Sequence, residues 1–321
     1  MSVAIGVDIG GTKMAVGVVD DVGEVLYRSL ATTAGRDTED LLAELEAQLR
    51  KALEAHPDVE SIGLGLPSTI DRTRGVAVSS VNLPIVDVPI RDLIGDRLGL
   101  PTFLDNAANA AALAEHRLGV ARGAGDVVML TIGTGIGGGL ILGGEVFRGS
   151  SGAAAELGHI VIDYAGPPCQ GNCPNRGCVE ALASGTAMGR EGGVAADQHP
   201  DSALGRARAE GREIDGRLVT ELAIEGDGIA VEVVALIGRR LGIALSSLAN
   251  IFDPDVIVIG GGAAAAGDLL LEAAREQLRT RALPPMNGTR VVAAELGPEA
   301  GMIGAGTMAI EEIARERRGS G

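Results

Sequence analysis

The chain begins a strand–glycine–strand pattern twice, and that repetition constrains its architecture more than any other feature. Val3–Val7 and Met14–Val19 are β-branched runs on either side of Asp8-Ile9-Gly10-Gly11-Thr12-Lys13; Val127–Ile132 and a returning run to Leu142 flank Gly133-Thr134-Gly135-Ile136-Gly137. Each reads as a β-hairpin with a glycine turn. Both are followed by alternating helical and strand segments, which predicts duplicated α/β units facing each other across a cleft. In the first half, a strand over Glu24–Leu30 precedes a helix over Glu39–Ala55, where leucines at 41, 42, 45, 49 and 53 keep a helical period. Then come a strand at Ser61–Leu66, a turn-rich stretch from Asp71 to Pro89, a strand at Thr102–Asp105 and a helix capped by Asn106. In the second half, helical segments around 185–190, 204–211 and 218–224 lead to a long helix over 228–251. A buried strand, Val256–Ile259, runs into Gly260-Gly261-Gly262; a helix over 268–281, a strand over 291–294, a helix over 301–317 and a disordered 319–321 tail complete the expectation. The domain division expected is 1–118, completed by a closing helix at 302–317, and 119–301.

Composition narrows the class. Apolar residues make up 46% and aromatics only 2%, while 49 of 321 residues are glycine, so the cores are predicted to use Ala, Val, Leu and Ile on closely packed elements. A net charge of −16 argues against a nucleic-acid partner. The start lacks the charged region and cleavage site of a signal peptide, and glycines break the longest apolar runs. A cytoplasmic, non-membrane protein is expected.

Two kinds of motif carry chemistry. Glycine turns follow strands at Asp8–Lys13, Gly133–Gly139 and Gly260–Gly262. Their unobstructed amides can converge on phosphate oxygens, with Thr12 and Thr134 adding hydroxyls. The Walker spacing is missed because Lys13 falls one residue late and a strand follows it. A dinucleotide fingerprint at Gly133 is excluded by the strand after it, and one at Gly260 lacks an acidic residue about twenty positions on. A phosphorylated nucleotide is therefore expected, with Asp8 holding Mg²⁺ through water. The second motif is His159, Cys169, Cys173 and Cys178, spaced by ten, four and five residues and including all three cysteines of the chain. An odd cysteine count disfavours a disulfide framework. Four N and S donors predict a closed tetrahedral zinc site that is structural and does not activate water.

Asp8-Ile9-Gly10-Gly11-Thr12-Lys13, the Gly133 turn, Glu156-Leu157-Gly158-His159, the cysteines ending in Gly177-Cys178-Val179-Glu180, and Ile257-Val258-Ile259-Gly260-Gly261-Gly262 together resemble the ROK family of sugar kinases and sugar-responsive repressors. The resemblance spans nearly the whole chain. It implies the actin-like, hexokinase-like (ribonuclease H-like) ATPase fold, two α/β domains flanking a cleft where ATP and sugar meet. It also implies a homodimer or homotetramer. The repressor branch carries a helix-turn-helix before the first phosphate loop, whereas this sequence starts at that loop, so the kinase branch is expected. By the same resemblance Asn82, Asn106, Glu156, His159 and Glu180 contact the sugar, His159 through the ring nitrogen left free by zinc.

This sequence departs from the family pattern in two places. Cys169 and Cys173 enclose three residues where one is usual. The family's acidic-Asn-Asp-Ala-Asn stretch here reads Asp105-Asn106-Ala107-Ala108-Asn109, so Ala107 stands where the resemblance places the aspartate general base. Asp105 is expected to point away. The reading is an otherwise intact ATP:hexose 6-phosphotransferase, glucose being the leading substrate, impaired by an aspartate-to-alanine change. A pseudokinase or non-catalytic sugar sensor is the alternative, as is a preference for fructose, mannose, allose or an N-acetylhexosamine; polyphosphate is a second candidate donor.

Overall fold

A computed structural model gives the architecture, with residues 2–80 and 82–319 described. Two five-stranded sheets share one topology. The first contains β1 (Val3–Ile9), β2 (Lys13–Asp20), β3 (Val25–Thr32), β4 (Ser61–Leu66) and β8 (Thr102–Asn106), in the order β3-β2-β1-β4-β8. The second contains β9 (Val127–Ile132), β10 (Ile136–Leu142), β11 (Glu145–Val146), β12 (Val256–Gly260) and β13 (Arg290–Ala293), in the order β11-β10-β9-β12-β13. In both, the founding strand pairs antiparallel with its hairpin partner on one side and parallel with the next strand on the other. The predicted duplication is therefore present strand for strand.

The helices follow from local signals. α1 (Thr38–Ala55) starts at Asp37, whose side chain accepts from the Asp40 amide at 2.9 Å, and buries Leu41, Leu42, Leu45 and Leu49. α3 (Ala107–Arg117) starts at Asn106, which accepts from the Ala108 amide at 2.8 Å. In the second half, α5 (Gly185–Gln198), α6 (Ala203–Ala209), α7 (Gly216–Ile224), α8 (Gly228–Phe252) and α9 (Asp268–Arg281) build a large aliphatic core against β9, β10 and β12. Gly143 and Gly144, with φ of 59° and 81°, make the two-residue turn between β10 and β11.

Three expectations are corrected. The turn-rich stretch and the residues just before it form a small antiparallel sheet, β5 (Ser68–Asp71), β6 (Val76–Ser80) and β7 (Val86–Val88), whose strands are too short for alternation to show. Sequence periodicity also passes over α2 (Ile90–Leu98), which buries only Ile90 and Ile94, and α4 (Val179–Ala183), barely one turn long. The last helix, α10 (Ala300–Gly319), takes in the first residue of the expected tail; residues 320 and 321 lie outside the described ones.

α10 packs on the first sheet at backbone distance. A Cβ on Gly6 would lie 2.0 Å from the Met302 carbonyl oxygen, and one on Gly63 1.9 Å from that of Ala305. On the next face of α10, a Cβ on Gly304 would lie 1.8 Å from the Ala110 carbonyl oxygen of α3. α3 in turn meets the second sheet through Ala108 and Ala112, against Gly137 and Gly139 of β10. Gly304→Ala is therefore expected to force α3 and α10 apart and to lower unfolding free energy by about 1–3 kcal/mol, read by urea denaturation.

Candidate functional site

The parallel strands of each sheet end on one edge, the place where open α/β sheets receive ligands. Asp8, Gly65 and Asp105 lie in register across β1, β4 and β8, and Gly260 pairs with Thr131 across β12 and β9. Beyond these ends lie the turns and side chains singled out in the sequence.

In the first sheet the hairpin turn is fastened from behind. Gly10 N–H donates to the Lys13 carbonyl at 2.8 Å, while Thr33 donates its hydroxyl to the Gly10 carbonyl at 2.6 Å and its amide to the Thr12 carbonyl at 3.0 Å. Thr12 and Lys13 are left exposed. Asn82 backs onto Gly11, where a Cβ would lie 3.0 Å from the asparagine, so a distant loop meets the turn. The Asp8 carboxylate abuts Gly301 in the first turn of α10, leaving no room for a side chain there.

Burial pushes Asp8 up to about 6, with Lys13 opposing. A carboxyl so raised is stabilised by a nearby cation, which suits Asp8 to a hydrated Mg²⁺. Because the folded pKa exceeds the unfolded value of 3.8, the folded state holds this proton more tightly; burial costs little below about pH 4 and its full amount above about pH 6. Asp8→Asn should therefore stabilise the metal-free protein by about 3 kcal/mol at pH 8 and hardly at all at pH 4, measured by urea denaturation in chelator.

Asp105 is 1% exposed. Its oxygens accept from Arg148 Nε at 2.6 Å, Asn109 Nδ2 at 2.9 Å and the Asn106 amide at 2.8 Å. Asn106 is also committed, capping α3 and donating to the Ser68 carbonyl at 3.2 Å. Ala107, the first residue of α3, is partly exposed at the strand end; its Cα is 3.5 Å from where Gly65 would carry a Cβ.

In the second sheet, the Gly133–Gly135 turn has its carbonyls tied back. Gly185 N–H donates to the Gly133 carbonyl at 2.8 Å and Thr186 Oγ1 to the Thr134 carbonyl at 2.9 Å. A trans peptide sets C=O and N–H on opposite sides, so these bonds aim the Thr134 and Gly135 amides away from α5. Gly133 and Thr134 are exposed. Gly137 packs against Ala108 and Thr131, and Gly260 against Met129 and Ala294, so these two serve close packing, while Gly261 (φ 81°) and Gly262 are exposed beyond β12.

His159, Cys169, Cys173 and Cys178 converge, with ligand atoms all within 4.8 Å of one another. Zinc at about 2.3 Å from sulfur and about 2.0–2.1 Å from nitrogen in a tetrahedron requires S···S near 3.8 Å and S···N near 3.6 Å. Cys173 and Cys178 Sγ are 3.9 Å apart, and Cys169 Sγ is 3.6 Å from His159 Nδ1. The donor set thus fits a structural divalent ion of zinc type. Burial, followed by the neighbouring thiols, raises the Cys169 thiol, so ionising this cluster calls for a cation.

With Nδ1 facing the cysteines, His159 turns Nε2 to Glu156, 3.9 Å away. Glu156 is raised, first by the protein around its carboxyl and then by Glu180, with His159 opposing. It follows Ala155, an alanine held at φ 68° with its carbonyl packed over Gly138, a conformation that favours glycine. Glu180, expected beside the sugar, also grips the end of the Gly133 turn: Oε2 accepts from the Ile136 amide at 2.7 Å, and Oε1 lies 3.8 Å from Cys169 Sγ. Sequence reasoning missed Thr33, Arg148 and Thr186, whose partners are backbone carbonyls or a distant carboxylate; none lies in a glycine or cysteine motif.

The ROK family model matches residues 4–312. A glucokinase of Thermotoga maritima is 35% identical over 312 residues, covering 96% of this chain and 98% of its own. A ROK family glucokinase from Streptomyces griseus, solved with glucose and AMPPNP, superposes with a TM-score of 0.87 at 36% identity, covering 97% of this chain and all (100%) of that one. A xylose repressor of Caldicellulosiruptor bescii is 29% identical over 323 residues, covering 96% of this chain and 78% of its own. The two matched sheets are those of the actin-like, hexokinase-like ATPase fold. Among the described residues no helix is long and apolar enough to cross a membrane.

Proposed function

Because the chain belongs to the ROK family, we propose that it is built as an ATP-dependent hexose 6-kinase, with glucose the leading sugar, and that Ala107 leaves it without a general base. The observation that carries the reading is the placement of two backbone-fastened glycine turns, Asp8 and the Glu156/His159/Glu180 wall around the shared strand-end edges. Glucose is supported by the similarity to glucokinases.

In this reaction the sugar O6–H attacks the γ-phosphorus, an O–P bond forms, the bond to the β-phosphate oxygen breaks, and the hydroxyl proton must be accepted. Thr12, the Gly10–Gly11 turn, and the Thr134 and Gly135 amides hold phosphate oxygens, aided by Lys13; Gly261 and Gly262 present backbone on the nucleotide side. Asp8 would hold Mg²⁺ through water, and that ion would supply charge neutralisation at the phosphates. His159, through Nδ1, and the three cysteines would hold a structural zinc, which would fix the ring so that Nε2 faces sugar hydroxyls beside Glu156. Asn82 and Asn106 are the remaining polar contacts, Asn106 through the amide capacity that its α3 cap and its Ser68 bond leave open. At position 107 a methyl group cannot take the proton, and Asp105 has its oxygens occupied by Arg148, Asn109 and Asn106.

Ala107→Asp places a carboxylate at the first turn of α3, where the helix dipole favours its ionised form. ATP-dependent glucose phosphorylation is expected to rise about 10²–10⁴-fold in that variant. Ala107 is also the observation that favours a second reading, a non-catalytic sugar sensor, since part of the family similarity is to a repressor. Glucose binding with no gain in turnover would establish that reading, and a screen of other hexoses on the same variant would find a different sugar. Cys173→Ser is expected to lower zinc content below one equivalent and to weaken glucose binding measured by calorimetry; lost zinc with unchanged affinity would refute the role of the metal in the sugar wall.

A further inference from the structure

The loop between the first two cysteines carries a residue that the metal does not use. Gln170 follows Cys169, and Gly171, at φ 57°, turns the chain back toward Cys173. The Gln170 amide nitrogen donates to Ser184 Oγ at 3.0 Å and to the Thr134 carbonyl at 3.3 Å. Ser184 is fully buried and caps α5 by accepting from the Ala187 amide at 3.2 Å; the next residue, Gly185, holds the Gly133 carbonyl. Gln170 thus reaches both the phosphate-type turn and the helix start that fastens it.

A second strut lies nearby. Glu180, at the start of α4 beside Cys178, accepts from the Ile136 amide at 2.7 Å. Its other oxygen lies 3.8 Å from Cys169 Sγ. The Gly133–Gly135 turn is therefore held from one side by α5 and from the other by residues set in place by the cysteine cluster.

From this geometry we propose that Gln170 is a positioning residue for nucleotide phosphate: through it the metal loop braces the Gly133–Gly135 turn, so that filling of the Cys/His site changes affinity for nucleotide as well as for sugar. The inference rests on the reading that this turn receives phosphate. Thr186 Oγ1 holds the same carbonyl, so losing the Gln170 bond removes one of its side-chain donors and leaves the Thr134–Gly135 peptide, and the direction of its N–H, less firmly fixed. A surface amide that merely tidies the loop would affect stability or metal content and leave nucleotide affinity alone.

The test uses the whole chain and three measurements: zinc content, glucose affinity, and affinity for Mg²⁺-AMPPNP by calorimetry. Gln170→Ala is expected to keep its zinc and its glucose affinity while binding the nucleotide about three- to tenfold more weakly, the effect of one neutral hydrogen bond. Gln170→Glu, of equal size but unable to donate to a carbonyl, should bind it at least as weakly. Chelation of wild-type zinc should weaken nucleotide binding, and zinc should restore it. Equal nucleotide affinity in wild type and both variants would overturn this inference and leave the kinase reading standing. Failure of the wild type to bind nucleotide would overturn both.

Discussion

Contact between backbones, with no side chains between them, sets the spacing of everything else in this protein. Glycines at 6 and 63 let carbonyls of α10 touch the first sheet, and Gly304 lets α10 touch the carbonyl of Ala110. Alanines 108 and 112 then let α3 approach Gly137 and Gly139 of the second sheet. Since α3 starts at the end of β8, this chain of close contacts fixes where position 107 stands relative to both hairpin turns. The abundance of glycine and scarcity of aromatics in the composition belong to this design.

The same economy of side chains governs the electrostatics. A protein of net charge −16 has little positive potential to offer an anion, and Lys13 is the cation adjoining the first turn. Backbone amides solve this differently, because a tied-back carbonyl orients its own N–H without adding a formal charge. Asp8 sits at the opposite extreme, a carboxyl raised by burial that becomes comfortable only beside a cation. Neutral donors thus stand beside one costly acid, and the turns that carry the donors are supported from outside the motifs by Thr33, Thr186 and Gly185.

How much of this was legible in the sequence depended on whether a residue acts through its neighbours in the chain. The two hairpins, the α1 leucines and the Asn106 cap are local patterns, and they form as read. The convergence of His159 with three cysteines was legible because those residue types have few other reasons to cluster. α2 was not, since two buried isoleucines leave no measurable period, and neither were the three short strands of the small sheet. Arg148 pairs with an acid 43 positions away, a partnership that only the folded chain defines. Glu180 shows a subtler limit: its place beside the cysteines was readable, but its grip on Ile136 depended on how the Gly133 turn returns into β10.

The seat of α10 also has a bearing on synthesis. Residues 300–319 cover β1 (Val3–Ile9) and β4 (Ser61–Leu66), both of which are made long before them. Until that final segment leaves the ribosome, the face of the first sheet that holds Gly6 and Gly63 has no covering helix, while the second half can already gather its own aliphatic core. Such long-range closure slows folding and prolongs the exposure of unfinished apolar surface. The half that opens the chain is accordingly the last to become a finished body.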